Sequence, residues 1–158
     1  SEGLALDFVG LRLEEMLPMY KRMQENVHSI IARAFSREVI TPGKTTDQEV
    51  VWWLRQENAR LGFGTWFQPS IRVQRPKGRQ IAILQEDAVT VIEKGDVLWV
   101  DYGLTAMRLA TDTQHMGYVL KDGETQVPVG IQKALSNSQK MQDIVMAKMQ
   151  PGKPATRC

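Results

Sequence analysis

Two strand-like segments in the second half of the chain place the tightest limit on its fold. Residues 97–104 and 109–120 are rich in aliphatic and aromatic residues and only four residues separate them. Polar, glycine-containing stretches at 93–96 and 121–124 bound the pair on both sides. Short apolar runs with such boundaries are typical of a β-hairpin. We therefore predict a tightly connected antiparallel pair of strands.

Helices are predicted on both sides of this hairpin. Apolar residues recur at helical spacing between residues 18 and 38, and the inward-facing set is Tyr20, Met23, Val27, Ile30, Ile31 and Ala34. Thr46 and Glu49 form a Thr-x-x-Glu capping box, which predicts a second helix that ends at Gly62 and Gly64. A last helix is predicted over 128–149, with its inner side formed by Ile131, Leu135, Ile144, Val145 and Met149. Further strands are predicted at 67–73, 81–84 and 89–92, with a polar, basic loop at 74–80. Together these elements predict an α+β fold.

Composition and charge argue against several classes of protein. The 158 residues include 20 basic and 18 acidic side chains, a net charge of +2 that is too small to favour nucleic acid or an anionic membrane as a partner. We expect no signal peptide, because no basic region precedes an apolar run at the start of the sequence. No apolar run is long enough to span a bilayer. Cys158 is the only cysteine, so no disulfide can form within the chain and a cytoplasmic location is expected.

Two aspartates in the predicted hairpin are the candidate metal ligands. If the hairpin closes around Ala106 and Met107, opposed residues have numbers that sum to 213, and Asp101 lies directly across from Asp112. Paired side chains on one face lie roughly 5 Å apart. Two carboxylates at that distance repel unless one is protonated or a cation lies between them. The alternative is that both are solvated turn residues, since Ala-Met is not a favoured hairpin turn.

Four segments of the sequence resemble one family. ITPGKTTDQEVVWWLRQ, GTWFQPSIRVQ, GDVLWVDYG and TDTQHMGYVL are similar to the pita-bread metallopeptidases, which include methionine aminopeptidases, Xaa-Pro aminopeptidases, prolidases and creatinase. The most specific feature is the VDYG aspartate followed eleven residues later by a second aspartate. In that family two such aspartates bridge a pair of divalent metals, so the resemblance implies Asp101 and Asp112 as ligands of manganese, cobalt or zinc. It also implies half of a pita-bread fold, with a curved antiparallel sheet and helices on one face.

Departures from the family pattern limit the expected activity. The family also uses a histidine and two glutamates from the second half of its domain, and the chain ends before that half. Many members carry a substrate-binding histidine before the first aspartate, whereas residues 74–91 contain none. We therefore assign no catalytic residue. His115 is predicted to lie on the opposite strand face from Asp112 and to be a packing or surface residue rather than a ligand.

Residues 1–158 are predicted to form a single truncated module. Residues 1–17 are a lead-in, and 151–158 open an unfinished second repeat, because a helix followed by Pro-Gly-Lys occurs at both 42–44 and 151–153. Half of a pseudo-symmetric fold exposes an apolar face, which predicts a homodimer. The expected function is a binding or structural role without peptidase activity. The alternatives are an Xaa-Pro-type aminopeptidase whose site a second subunit completes, and a fragment that is active only with its missing C-terminal half.

Overall fold

The computed structural model describes residues 2–75 and 89–152. In these residues helices and antiparallel strands are mixed, so the predicted α+β class is confirmed. The chain forms two compact units, Ser1–Val119 and Leu120–Cys158. The helices are α1 (Glu2–Gly10), α2 (Leu17–Ala34), α3 (Asp47–Leu61) and α4 (Val129–Lys148), and a short 3-10 helix at Glu14–Met16 lies between α1 and α2. The strands are β1 (Ser70–Gln74), β2 (Val97–Tyr102), β3 (Thr105–Ala106), β4 (Leu109–Ala110) and β5 (Thr113–Tyr118).

Helix α2 forms where its apolar spacing predicts it. Pro18 lies in the first turn, where its missing N–H has no helical partner to lose. Tyr20 of the predicted inner face is partly buried and packs against the core. The other five members are buried: Met23, Val27, Ile30, Ile31 and Ala34. The helix ends at Ala34, four residues earlier than predicted.

Helix α3 begins at the predicted capping box. The Thr46 side chain accepts a hydrogen bond from the Glu49 backbone at 3.2 Å, and the Glu49 carboxylate accepts one from the Thr46 backbone at 2.7 Å. These contacts satisfy backbone donors that the first helical turn leaves unpaired. Gly62 ends the helix in a left-handed conformation, with φ of 72°. Val50 and Leu54 of this helix are buried, whereas Leu61 in its last turn is 37% exposed.

The main sheet has three antiparallel strands in the order β1-β2-β5. Side chains on successive strand residues point to opposite faces, so the sheet has two distinct sides. One side carries Leu98, Val100 and Tyr102, which are buried. Helix α3 packs against β1, and α2 packs against β2 and β5. The core of the first unit therefore lies between these helices and one face of the sheet.

The hairpin closes two positions away from the predicted register. Its turn is Met107–Arg108, and both residues have positive φ (51° and 62°), the signature of a type I′ turn. Thr105 pairs with Ala110 and Tyr102 with Thr113, so opposed numbers sum to 215 rather than 213. The predicted pairing of Asp101 with Asp112 is therefore wrong, and Asp101 lies across from Gln114.

Other predicted elements are confirmed less evenly. The first strand begins at Ser70 rather than at residue 67. Residues 89–92 do not form a strand, although Val91 makes a single antiparallel bridge to Thr46. The predicted strand at 81–84 and most of the loop at 74–80 lie outside the described residues.

Helix α4 has the predicted length, but it is exposed where a buried inner side was predicted. It spans Val129–Lys148, within one residue of the predicted bounds at each end. None of its residues is buried, and Leu135, Ile144 and Val145 are more than half exposed, so the predicted inner side is wrong. In the described parts of the chain, every helix is too short or too polar to cross a bilayer.

Candidate metal centre

The candidate centre lies on the face of the sheet opposite α2 and α3. Strand register places Ser70, Asp101 and Gln114 side by side across β1, β2 and β5. The next row along the same face is formed by Arg72, Trp99 and Met116. We call these two rows the open face. Its polar residues are grouped at the end of the sheet that leads into the β3–β4 turn.

Asp112 reaches Asp101 although the two are not directly opposed. Gln114 is the residue paired with Asp101, and Asp112 lies two residues before it. Asp112 is therefore on the same face and is a diagonal neighbour of Asp101. Asp112 is close enough for its charge, and for a hydrogen bond between the two side chains, to raise the pKa of Asp101. The pair of aspartates predicted from the sequence therefore does come together.

The environment of Asp101 disfavours its charged form. Burial is the largest cause that raises the pKa of this carboxyl, and the charge and hydrogen bond of Asp112 raise it further. Gln114 and Arg72 act in the opposite direction. Asp101 thus tends to keep a proton to a higher pH than an ordinary aspartate, unless a cation takes the place of that proton.

One oxygen of this carboxyl is left without a partner. Among the described residues, Asp101 Oδ1 is the buried side-chain oxygen that no hydrogen bond satisfies. Buried polar atoms are rarely unpaired, and an unpaired one calls for a specific reason such as an ion. Hard divalent cations bind carboxylate oxygens. Asp101 and Asp112 therefore fit such an ion as two of its ligands.

Further ligands are not gathered around the pair in the described residues. In 2–75 and 89–152, no cluster of three or more His, Cys, Asp or Glu side chains has the arrangement of a metal site. Two carboxylates from one hairpin provide part of a coordination shell, and hydrolytic metal centres use more protein ligands than this.

Close backbone packing beside the pair fixes its position. The Trp66 indole donates a hydrogen bond to the Thr111 carbonyl at 2.9 Å, and the Thr111 hydroxyl accepts one from the Leu104 backbone at 2.8 Å. A Cβ on Gly103 would lie 2.3 Å from the Thr111 carbonyl oxygen. Glycine is therefore required at 103 for the two sides of the hairpin to approach each other next to Asp101 and Asp112. Gly103 itself is the one residue whose type hints at this packing before the structure is known.

Arg72 and Trp99 form the neighbouring row of the open face. The Arg72 guanidinium lies 5.2 Å from the centroid of the Trp99 ring, within the range of a cation–π contact. Its positive charge also lowers the pKa of Asp101, against the larger effect of burial. Sequence reasoning missed both residues as neighbours of the aspartates, because their proximity depends on the β1–β2 register.

The two histidines of the chain meet on the other face of the sheet. His115 lies opposite Val100, on the helix-covered face and away from Asp101, as strand alternation predicts. His28 Nδ1 of α2 and His115 Nε2 are 2.9 Å apart, with ring centroids 4.9 Å apart and planes at 83°. No feature of the sequence alone brings together two residues 87 positions apart.

Acidification should destabilise the protein through His115. Burial, and then His28, lower the pKa of His115 below its ordinary value of 6.5. A base with a lowered folded-state pKa adds stability above its unfolded pKa, and that stability is lost as pH falls through the folded value. We expect wild type to lose more stability than His115→Gln when chemical denaturation is compared at about pH 7.5 and about pH 5.5. Equal losses in the two proteins would contradict this assignment.

Comparison with known proteins adds no relative to this description. No protein-family model, curated protein or solved structure gives a significant match to the chain. The functional interpretation therefore depends on the site itself and on the resemblance carried by the sequence segments.

Proposed function

We propose that the chain is a metallopeptidase-like module of the pita-bread type that binds a divalent metal through Asp101 and Asp112. The observation that carries this proposal is the paired carboxyls on the open face, one with a buried oxygen that lacks a hydrogen-bond partner. Helices on one face of an antiparallel sheet, with the carboxyls on the other, also agree with half of a pita-bread fold.

The roles of the neighbouring residues follow from charge and position. Asp101 and Asp112 would hold the metal, and a metal at such a site supplies Lewis acidity toward a bound carbonyl. Gln114 stabilises the ionised form of Asp101, and so does the charge of Arg72. Gln114 would therefore help to keep the carboxyl ionised for a cation, whereas the Arg72 charge competes with the cation for the same carboxylate. Manganese, cobalt and zinc all accept carboxylate ligands.

A binding or structural role without peptidase activity is the function proposed for this module on its own. Two carboxylates offer fewer ligands than a hydrolytic centre uses. The alternative is an Xaa-Pro-type aminopeptidase whose remaining ligands come from a second subunit or from a C-terminal half. Assays on Xaa-Pro peptides with manganese or cobalt separate these functions. Turnover that Asp101→Asn abolishes would favour the aminopeptidase.

Metal should stabilise the folded protein. A ligand that binds only the folded state adds about 2.7 kcal/mol at a hundredfold excess over its dissociation constant. We expect excess Mn²⁺ to raise the thermal midpoint relative to EDTA in wild type, and Asp101→Asn to abolish the rise. Asp143→Asn, on exposed helix α4, is the matched control and should keep the response. An equal rise in wild type and Asp101→Asn would place any bound metal elsewhere.

We also propose a homodimer that covers the open face. Met116 on this face is 58% exposed and lies beside the partly exposed Trp99, and contiguous apolar surface marks interaction sites. A second copy is the proposed occupant, because a twofold axis near β5 would bring two Asp101–Asp112 pairs together.

The dimer predicts a specific effect of charge on the open face. Light scattering coupled to gel filtration should give a dimer for wild type and a monomer for Met116→Glu, since burying an unpaired carboxylate is costly. Val129→Glu changes a side chain that is 79% exposed on α4 and should remain dimeric. A wild-type monomer at high concentration would overturn the proposed assembly.

A further inference from the structure

The contact between His28 and His115 has the properties of a second metal site. It joins the only two histidines of the sequence, from helix α2 and strand β5. Both residues are exposed, so solvent has access to the pair. The contact lies on the opposite face of the sheet from Asp101, and the proposed carboxylate centre does not use it.

Packing around the histidines holds their backbones at a fixed separation. One helical turn before His28, Gln24 Oε1 accepts a hydrogen bond from the Thr113 hydroxyl at 3.3 Å. At the other end of β5, Gly117 lies so close to the Phe35 ring that an added Cβ would be 2.8 Å from it. Val27, next to His28, is fully buried. The pair therefore lies between two anchored elements, as a preorganised site requires.

The nitrogen separation matches adjacent ligands of a square-planar ion. With metal–nitrogen bonds of about 2.0 Å, two nitrogens at a right angle lie about 2.8 Å apart, and two at a tetrahedral angle about 3.3 Å. The observed separation between His28 Nδ1 and His115 Nε2 is 2.9 Å. Tetragonal sites with nitrogen and oxygen ligands favour Cu²⁺ and Ni²⁺. Rotation of the rings about their Cβ–Cγ bonds would aim both lone pairs at one ion in place of the shared proton.

We propose that His28 and His115 form a two-histidine site for Cu²⁺ or Ni²⁺, with water in the remaining positions. The neutral imidazole is the form that binds metal. A bound ion would link α2 to β5. Cu²⁺ should bind more tightly than Ni²⁺, following the general order of divalent-metal affinities.

Electron paramagnetic resonance with Cu²⁺ and calorimetry with Ni²⁺ test the site. We expect wild type with one equivalent of Cu²⁺ to give a spectrum with couplings to two imidazole nitrogens. His28→Gln and His115→Gln should each weaken Ni²⁺ binding by at least about tenfold, because loss of even an outer-shell partner commonly has that effect. Helical circular dichroism of each variant confirms folding. Asp101→Asn should keep the copper spectrum with two nitrogen couplings, so this readout is independent of the proposed carboxylate centre.

Several outcomes would overturn the two-histidine site. A copper spectrum with coupling to a single nitrogen would mean an adventitious ion held by one side chain or by the chain terminus. Unchanged Ni²⁺ affinity in both histidine variants would also reject the site. A third measurement remains informative if a variant folds poorly: excess Ni²⁺ should raise the thermal midpoint of wild type, and no rise would reject a link between α2 and β5.

Discussion

Replacing Gly103 with alanine should lower the free energy of unfolding by about 2–4 kcal/mol, which combines overpacking with the loss of a hydrogen bond. The added Cβ would lie 2.3 Å from the Thr111 carbonyl oxygen, 2.7 Å from the Phe67 ring and 3.0 Å from the Trp66 indole nitrogen. The nearest of these is a backbone atom, which cannot turn aside like a flexible side chain. The hairpin must open, and the 2.9 Å bond from Trp66 to Thr111 must lengthen or break.

The same change should weaken the carboxylate centre. Gly103 and Thr111 lie beside Asp101 and Asp112, so movement of one hairpin side separates the carboxyls. Urea denaturation with and without Mn²⁺ measures both effects. Gly130→Ala is the control, because nothing lies within 4 Å of the added Cβ on helix α4. A Gly103→Ala protein with wild-type stability would show that the two sides of the hairpin are not closely packed.

Removal of the Asp96 carboxylate should lower the free energy of unfolding by about 3–5 kcal/mol, the usual effect of breaking a buried ion pair. The Asp96 side chain is 1% exposed and accepts hydrogen bonds from Arg75 at 2.8 and 3.1 Å. It also accepts one from the Glu93 backbone at 2.7 Å. Asp96→Ala leaves a largely buried guanidinium and a turn N–H without this acceptor.

Two further variants separate charge from hydrogen bonding at Asp96. Asp96→Asn keeps an acceptor oxygen and removes the charge, so its loss of stability should lie between wild type and Asp96→Ala. Glu93→Ala removes a carboxylate that is 59% exposed and 3.9 Å from Arg75, and exposed pairs contribute about 1 kcal/mol or less. Equal effects of Asp96→Ala and Glu93→Ala in urea denaturation would contradict the distinction between buried and exposed partners.

Local patterns predicted the helices well because their signals are local. The apolar spacing of α2 and the Thr46–Glu49 capping box depend on residues within a few turns of each other, and both were confirmed. The exposure of Ile144 and Val145 on α4 was missed. Periodicity identifies an apolar helix face and does not state what that face contacts.

The position of the hairpin turn determines which residue lies across from Asp101. Met107 and Arg108 occupy left-handed conformations without the asparagine or glycine that normally marks such a turn, so nothing in the sequence marked its position and closure around Ala106–Met107 was only assumed. The resulting shift changes the sum of paired numbers by two. If the sum had changed by one, Asp112 would lie on the opposite face of the sheet. Because it changed by two, Asp112 stays on the same face as Asp101.

Long-range neighbours were beyond the reach of sequence patterns. Arg72 lies near Asp101 because β1 pairs with β2 across a connection of more than twenty residues, part of which lies outside the described chain. The contact of His28 with His115 likewise depends on where α2 crosses β5. Such positions follow from tertiary packing, which propensity and periodicity do not determine.

Titration of Mn²⁺ followed by electron paramagnetic resonance tests the central proposal most directly, because the signal of free Mn²⁺ falls as the ion binds. The proposed carboxylate centre predicts that wild type removes free Mn²⁺ from solution, that Asp101→Asn and Asp112→Asn do not, and that His28→Gln behaves like wild type. Identical free-ion signals for wild type and Asp101→Asn would contradict a metal centre at Asp101 and Asp112.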